Sequence, residues 1–184
     1  MVSFESFYEI ELKALLKKEQ YDRLSERLPK DYTKINDDLI HSTRYRPGDV
    51  SLRYSNRIFE LICKEGDPTC IVRKELKLSF ENKEDFDKMC EVFEQINPQK
   101  DPSWIKHKQE FEIQMEEFKY IIYLQDIKDF AYVLEVEYLS EDENSLIHER
   151  NIRSIFKRLN VEPIDPKDFN DRISRYITAN KKLL

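Results

Sequence analysis

Short segments in which charged and apolar residues alternate at period two constrain this 184-residue chain more than any other feature. In Tyr8-Glu9-Ile10-Glu11-Leu12-Lys13, an extended backbone sets Glu9, Glu11 and Lys13 on one face and Tyr8, Ile10 and Leu12 on the other, because successive strand side chains point to opposite sides. From Tyr132 to Tyr138, Glu135 and Glu137 share a face opposite Tyr132, Leu134, Val136 and Tyr138. Arg53 stands opposite Leu52 and Tyr54, Ile62-Cys63-Lys64 ends on a lysine, and Arg73, Glu75 and Lys77 fall on one face. Lys106, Lys108, Glu110 and Glu112 likewise oppose Ile105, Phe111 and Ile113. Any one of these strands reads as an ordinary solvated sheet face. Across five of them, the acids gather on the first and last and the bases dominate those between.

The wider pattern predicts strands over about 6–13, 40–46, 50–64, 70–80, 105–115, 118–126 and 131–139. Gly66-Asp67-Pro68 is a turn, so 50–64 and 70–80 should form a hairpin. Four helices follow from apolar residues at three- and four-residue spacing. One carries Tyr21, Leu24 and Leu28, and a second, over 84–96, carries Phe86, Met89, Cys90 and Phe93 after a capping Asn82. A third, over 144–159, carries Ile152, Ile155, Phe156 and Leu159; the last follows Asp165-Pro166 with Phe169, Ile173, Tyr176 and Ile177. The fold class is α+β. No repeat or Gly/Ser linker divides the chain, so residues 1–184 read as one domain with a C-terminal helix at about 166–180 packed on it.

Composition matters at one point. The chain is 40% hydrophobic yet 37% charged, more charge than a small globule needs for solubility. A sheet closed into a barrel, apolar faces outward beneath the helices, would turn the charged faces to an interior. Buried charge is costly unless paired or occupied. A polyanion with a hard divalent cation satisfies such a lining, since carboxylates take Mg²⁺ or Mn²⁺ and Lys and Arg take phosphate oxygens. No glycine-rich loop is present to do this with backbone amides. The net charge of −6 argues against a general nucleic-acid binder. No apolar run approaches the roughly 18 residues of a membrane span, and acids stand where a leader peptide would be basic and then apolar. Cys63, Cys70 and Cys90 are an odd number without a CxxC pair, which speaks against disulfides or zinc; the expected compartment is the cytoplasm. His41, His107 and His148 lack ligand spacing, Trp104 reads as core, and Lys181-Lys182 as a solvated tail.

The strand blocks resemble the CYTH family, or triphosphate tunnel metalloenzymes, which includes class IV adenylate cyclases, thiamine triphosphatases and inorganic triphosphatases. The resemblance rests on Glu9-Ile10-Glu11-Leu12-Lys13, Leu52-Arg53-Tyr54, Leu61-Ile62-Cys63-Lys64, Arg73-Lys74-Glu75, Lys106-His107-Lys108 and Glu135-Val136-Glu137 in family order, over about residues 6–180. It implies an eight-stranded antiparallel β-barrel forming a tunnel, with helices outside. It further implies that Glu9, Glu11, Glu135 and Glu137, with Glu75, bind Mg²⁺ or Mn²⁺. Lys13, Arg53, Lys64, Arg73, Lys106 and Lys108 would bind a triphosphate, with Lys13, Glu9 and Glu11 catalytic. Arg44 and Arg46 share a face and could join the basic wall. Three positions depart from the family pattern. Ser55 stands where a second arginine is expected, unless Arg57 substitutes. Lys77 replaces an acid, and Gln125 replaces an Asp, with Asp126 one place off register on the face of Leu124.

Metal-dependent hydrolysis of a small triphosphate (inorganic, thiamine or nucleoside) is the first expectation. The alternatives are a class IV adenylate cyclase, which makes cyclic AMP and pyrophosphate from ATP, and a non-catalytic triphosphate-binding module. Cyclisation also demands a base-recognition pocket, and the sequence locates none. Among nucleic acids, only an RNA 5′-triphosphate end suits such a tunnel. The expected state is a monomer or homodimer without membrane association.

Overall fold

The alternating segments become strands, and the strands close on themselves. The computed structural model describes residues 2–180, so the Lys181-Lys182 tail lies outside the described residues. The strands are β1 (Val2–Leu16), β2 (Thr33–Arg46), β3 (Val50–Tyr54), β4 (Phe59–Lys64), β5 (Val72–Phe80), the two-residue β6 (Gln99–Lys100), β7 (Trp104–Met115), β8 (Phe118–Ile127) and β9 (Ala131–Ser140). The helices are α1 (Lys18–Asp31), α2 (Lys83–Ile96), α3 (Leu146–Leu159) and α4 (Pro166–Asn180). Antiparallel pairing runs β3-β4-β5-β1-β9-β8-β7-β2, and a β2–β3 ladder joins the ends into a closed eight-stranded barrel; β6 is an addition to β2.

Two expectations need correction. The segment 50–64 is not one strand but the hairpin β3–β4, in which Arg53 faces Glu60. Ser55 makes that turn: its Oγ accepts the amides of Arg57 (3.0 Å) and Ile58 (3.2 Å) and donates to the Asp38 carboxylate. The second strand begins at Thr33 rather than near 40, because Ile35 and Leu39 are exposed where a burial pattern would show alternation. The helices match their predicted spans closely. Asn82 caps α2 by accepting the amide of Asp85 at 2.9 Å, and Asp165 receives the amide of Lys167 at 2.8 Å at the start of α4.

The core lies outside the barrel wall. Ile10, Leu12 and Ala14 of β1, Leu134 and Val136 of β9, and Ile122 and Leu124 of β8 pack beneath α1 and α3, joined by Leu24, Leu28, Ile152, Ile155 and Phe156. On the opposite flank α2 lays Phe86 against Leu52 and Phe80, with Phe59, Leu61, Met89 and Phe93 around them. Burying one such side chain contributes about 1.5–3 kcal/mol, so the outer coat is where the barrel gets its stability. His148 belongs to this coat: it stacks on Tyr138 with centroids 3.7 Å apart, and its Nδ1 meets the Tyr120 hydroxyl at 3.0 Å. No described helix is long and apolar enough to cross a membrane.

Candidate functional site

With the apolar faces outward, period two turns the charged faces into the bore. A cavity of about 360 Å³ there is lined by Glu9, Glu11, Lys13, Arg53, Lys64, Glu75, Lys106, Lys108, Glu135 and Glu137. Of the eleven residues the sequence nominated, only Arg73 lies off this cavity. It faces a neighbouring space of about 170 Å³ at one mouth, where its Nη1 meets Asp49 at 2.7 Å and its Nη2 the Lys64 carbonyl at 3.3 Å.

The barrel brings four acids together. Register sets Glu11 beside Glu137 and Lys13 beside Glu135 across β1–β9, and one carboxylate oxygen from each of Glu9, Glu11, Glu135 and Glu137 lies within 4.8 Å of the others. Glu75 is not in this group; it lies against Lys64 at 3.4 Å. Lys13 pairs with Glu11 and, at 3.6 Å, with Glu135, while Lys64 pairs with Glu9 and reaches Glu11 at 3.7 Å. The carboxylates divide accordingly. Burial, joined by Glu11, raises the Glu9 carboxyl, and burial with Glu9 and Glu135 pushes Glu137 well above the ordinary carboxylate range. Burial works the same way on Glu11, but Lys13 and Lys64 outweigh it and hold that carboxyl at about 2. Glu135 is also lowered, burial being overcome chiefly by Lys13. Tyr123, whose hydroxyl donates to Glu137, completes this end.

Such a set fits a hard divalent cation. All its donors are oxygens, and Glu11 keeps a buried Oε2 without a hydrogen-bond partner among the described residues. Four carboxylates this close cannot all ionise without further positive charge.

The basic wall stands across the bore. Among the described residues neither Arg53 nor Lys106 forms an ion pair. Burial, with Arg53 and Lys108 nearby, holds the Lys106 ammonium down to about 7. Lys108 lies 3.4 Å from Glu110 and over the Tyr123 ring. Burial works against the Arg53 guanidinium, but Glu75, Glu60 and Glu9 outweigh it, so Arg53 keeps its charge facing the bore without a direct ion partner among the described residues.

The departures have distinct fates. Ser55 is committed to the β3–β4 turn, and Arg57 does not replace the missing arginine: it is exposed beyond that turn, its Nη1 on Asn36 at 3.1 Å. Lys77 lines the cavity and is matched by Glu5 at 2.5 Å. Gln125 points into the bore and donates to Glu135 at 3.2 Å, while Asp126 faces outward toward Tyr21, as its parity requires. Arg44 joins the wall at the mouth and pairs with Asp49 at 2.9 Å, whereas Arg46 leaves the bore to pair with Asp101 at 3.0 Å. Trp104 is not core. It lines the mouth with Phe130, Phe169 and Ile173, a location signalled by its sharing parity with Lys106 and Lys108.

No family model matches the chain, and no curated protein does. Solved structures do. The PH1819 protein from Pyrococcus horikoshii OT3 superposes with TM-score 0.65 at 17% identity, covering 84% of this chain and 92% of that one. A candidate adenylate cyclase from Vibrio parahaemolyticus gives 0.63 at 16% identity, over 84% and 90%. HpAC1 from Hippeastrum, a candidate adenylyl cyclase described as having a dominant triphosphatase activity, gives 0.56 at 10% identity over 86% and 90%. Identities this low speak for the fold alone: the chain shares the fold of these structures, a closed antiparallel barrel with outer helices.

Proposed function

We propose that the bore binds a small triphosphate and that the protein hydrolyses it in a metal-dependent reaction, residues 1–184 acting as one unit. The observation that carries this reading is the pairing, within one cavity, of four clustered carboxylates with the unpaired Arg53 and Lys106. Arg53, Lys106 and Lys108 hold non-bridging phosphate oxygens and take up charge as it moves toward the leaving group. Lys13, fixed between Glu11 and Glu135, stands where the terminal phosphate meets the acids. Lys64 keeps Glu9, Glu11 and Glu75 turned inward. Mg²⁺ or Mn²⁺ held by Glu9, Glu11, Glu135 and Glu137 would supply Lewis-acid charge on the phosphate oxygens. In the step itself a water oxygen bonds to the γ-phosphorus while its bond to the bridging oxygen breaks. The diphosphate leaves with the electron pair, and the water gives its proton to solvent. Arg73, braced on Asp49, shapes the mouth rather than reaching the phosphates.

The test is incubation with Mg²⁺ or Mn²⁺ and inorganic triphosphate, thiamine triphosphate or ATP, following orthophosphate, pyrophosphate and cyclic AMP. Orthophosphate release that vanishes with EDTA and in Glu9→Gln/Glu11→Gln is expected. Cyclic AMP with pyrophosphate would replace hydrolysis by cyclisation. Tight binding of all three without any product would leave a binding module.

A further inference from the structure

Three of the four clustered carboxylates are held by lysines. Glu9 lies on Lys64, Glu11 on Lys13 and Lys64, and Glu135 on Lys13, with Gln125 donating to it as well. Glu137 is the exception. It is buried like Glu9 but forms no ion pair among the described residues; the side chain that meets it is Tyr123, whose hydroxyl donates to its Oε1. The same ring lies under the Lys108 ammonium, 3.5 Å from the centroid. One buried side chain therefore touches both the acid cluster and the basic wall.

Building the barrel does not call for a phenol at this position. Along β8, Ile122 and Leu124 turn outward to the core while Tyr123 and Gln125 turn into the bore, and the ladder sets Tyr123 between Glu110 of β7 and Glu135 of β9. An apolar side chain would fill the wall there. What tyrosine adds is an O–H, which needs a partner once buried and finds Glu137, and a ring face of negative potential, which attracts the ammonium of Lys108. Hydrogen bonds of this kind orient the carboxylates that hold a metal ion. Resting on the triphosphate reading above, we infer that Tyr123 is a positioning residue with two separable duties. Its hydroxyl fixes Glu137 for the divalent cation, and its ring fixes Lys108 for the phosphate oxygens. It acts through these two residues rather than on the reacting atoms.

Tyr123→Phe, nearly the same shape, removes only the first duty; Tyr123→Leu removes both. Calorimetry of the substrate-free protein with Mn²⁺ reads the first, and binding of inorganic triphosphate in EDTA reads the second. Steady-state hydrolysis adds the Mn²⁺ concentration for half-maximal rate and the KM for triphosphate. Tyr123→Phe should weaken Mn²⁺ binding about tenfold and raise the half-maximal Mn²⁺ concentration in proportion, while triphosphate affinity and KM stay within about twofold. Tyr123→Leu should lose Mn²⁺ affinity to the same extent and, in addition, about fivefold in triphosphate affinity, because Lys108 has lost its ring. Unchanged Mn²⁺ binding in Tyr123→Phe overturns the inference and leaves the triphosphate reading standing. So does a triphosphate affinity that falls in Tyr123→Phe as far as the Mn²⁺ affinity, since a merely structural ring would weaken both together. Unmodified protein that binds neither Mn²⁺ nor inorganic triphosphate overturns both.

Discussion

The two faces of the barrel wall are made by the same strands and obey opposite rules. Outside, Ile10, Leu12, Leu134 and Val136 are fully or almost fully buried and are held by packing, which tolerates no voids. Inside, among their immediate neighbours, Glu9 and Glu137 are buried and Glu11 and Glu135 half-buried, yet the four repel one another and are balanced by two lysines. The outer face therefore stabilises the fold, and the inner face holds electrostatic strain that a ligand can relieve. Stability and function are separated by one residue of sequence, through the pleat of a strand.

The comparison breaks most visibly at Leu134. It is fully buried under the helices, and Leu134→Ala should cost about 2–5 kcal/mol, read as a lower urea midpoint at unchanged slope. On the inner face, Glu9→Gln/Glu11→Gln should lower the rate of triphosphate hydrolysis about a hundredfold or more, equivalent to about 2.7 kcal/mol of barrier. Glu137→Gln, by contrast, should leave stability within about 1 kcal/mol of the starting protein or raise it, because burial with Glu9 and Glu135 pushes that carboxyl well above the ordinary range and no ion pair holds it among the described residues. A loss of stability matching that of Leu134→Ala would erase the distinction between the faces.

A third effect depends on pH. With its ammonium held at about 7 in the free protein, Lys106 is largely neutral above that pH. A polyanion raises this value, so binding takes up a proton above neutrality. Affinity should fall as pH rises from 7 toward 9, by up to about tenfold per unit, since one unit corresponds to 1.36 kcal/mol. Lys106→Met should flatten that slope and weaken binding at pH 6, where the native lysine is charged. The smallest effect belongs to Ser55: Ser55→Ala removes the hydroxyl that organises the β3–β4 turn and should cost about 1 kcal/mol by urea unfolding, with little change in kcat.

How much of this could be read in advance follows from the same two-sidedness. Alternation is legible wherever one face is buried by helices and the other is charged, so β1, β7 and β9 and the ten inward-facing acids and bases of the main cavity were accessible from period two and the order of the blocks. It fails where both faces are wet, as at Ile35 and Leu39, so the first part of β2 carries no legible alternation. It also fails at tight turns without glycine or proline: Ser55-Asn56-Arg57 carries no strong breaker, so β3 and β4 read as a single strand. Trp104 reads as core on size and apolarity, whereas its parity with Lys106 and Lys108 sets it at the mouth of the bore. Phe169 and Ile173 reach the mouth from the far end of the chain, and no local pattern announces where a helix docks.

The closure of the ring has a kinetic meaning. On one side of the barrel β1, β7, β8 and β9 are each ten residues or longer, whereas β3 and β4 have five and six. The ladder that joins β2 to β3 runs only from His41–Tyr54 to Tyr45–Val50. Amide protons in this sector should exchange with solvent sooner than those of β1 and β8, because fewer cross-strand bonds must open together. Arg53 sits in that sector, so the cation facing the acid cluster is carried by the part of the wall that breathes most readily.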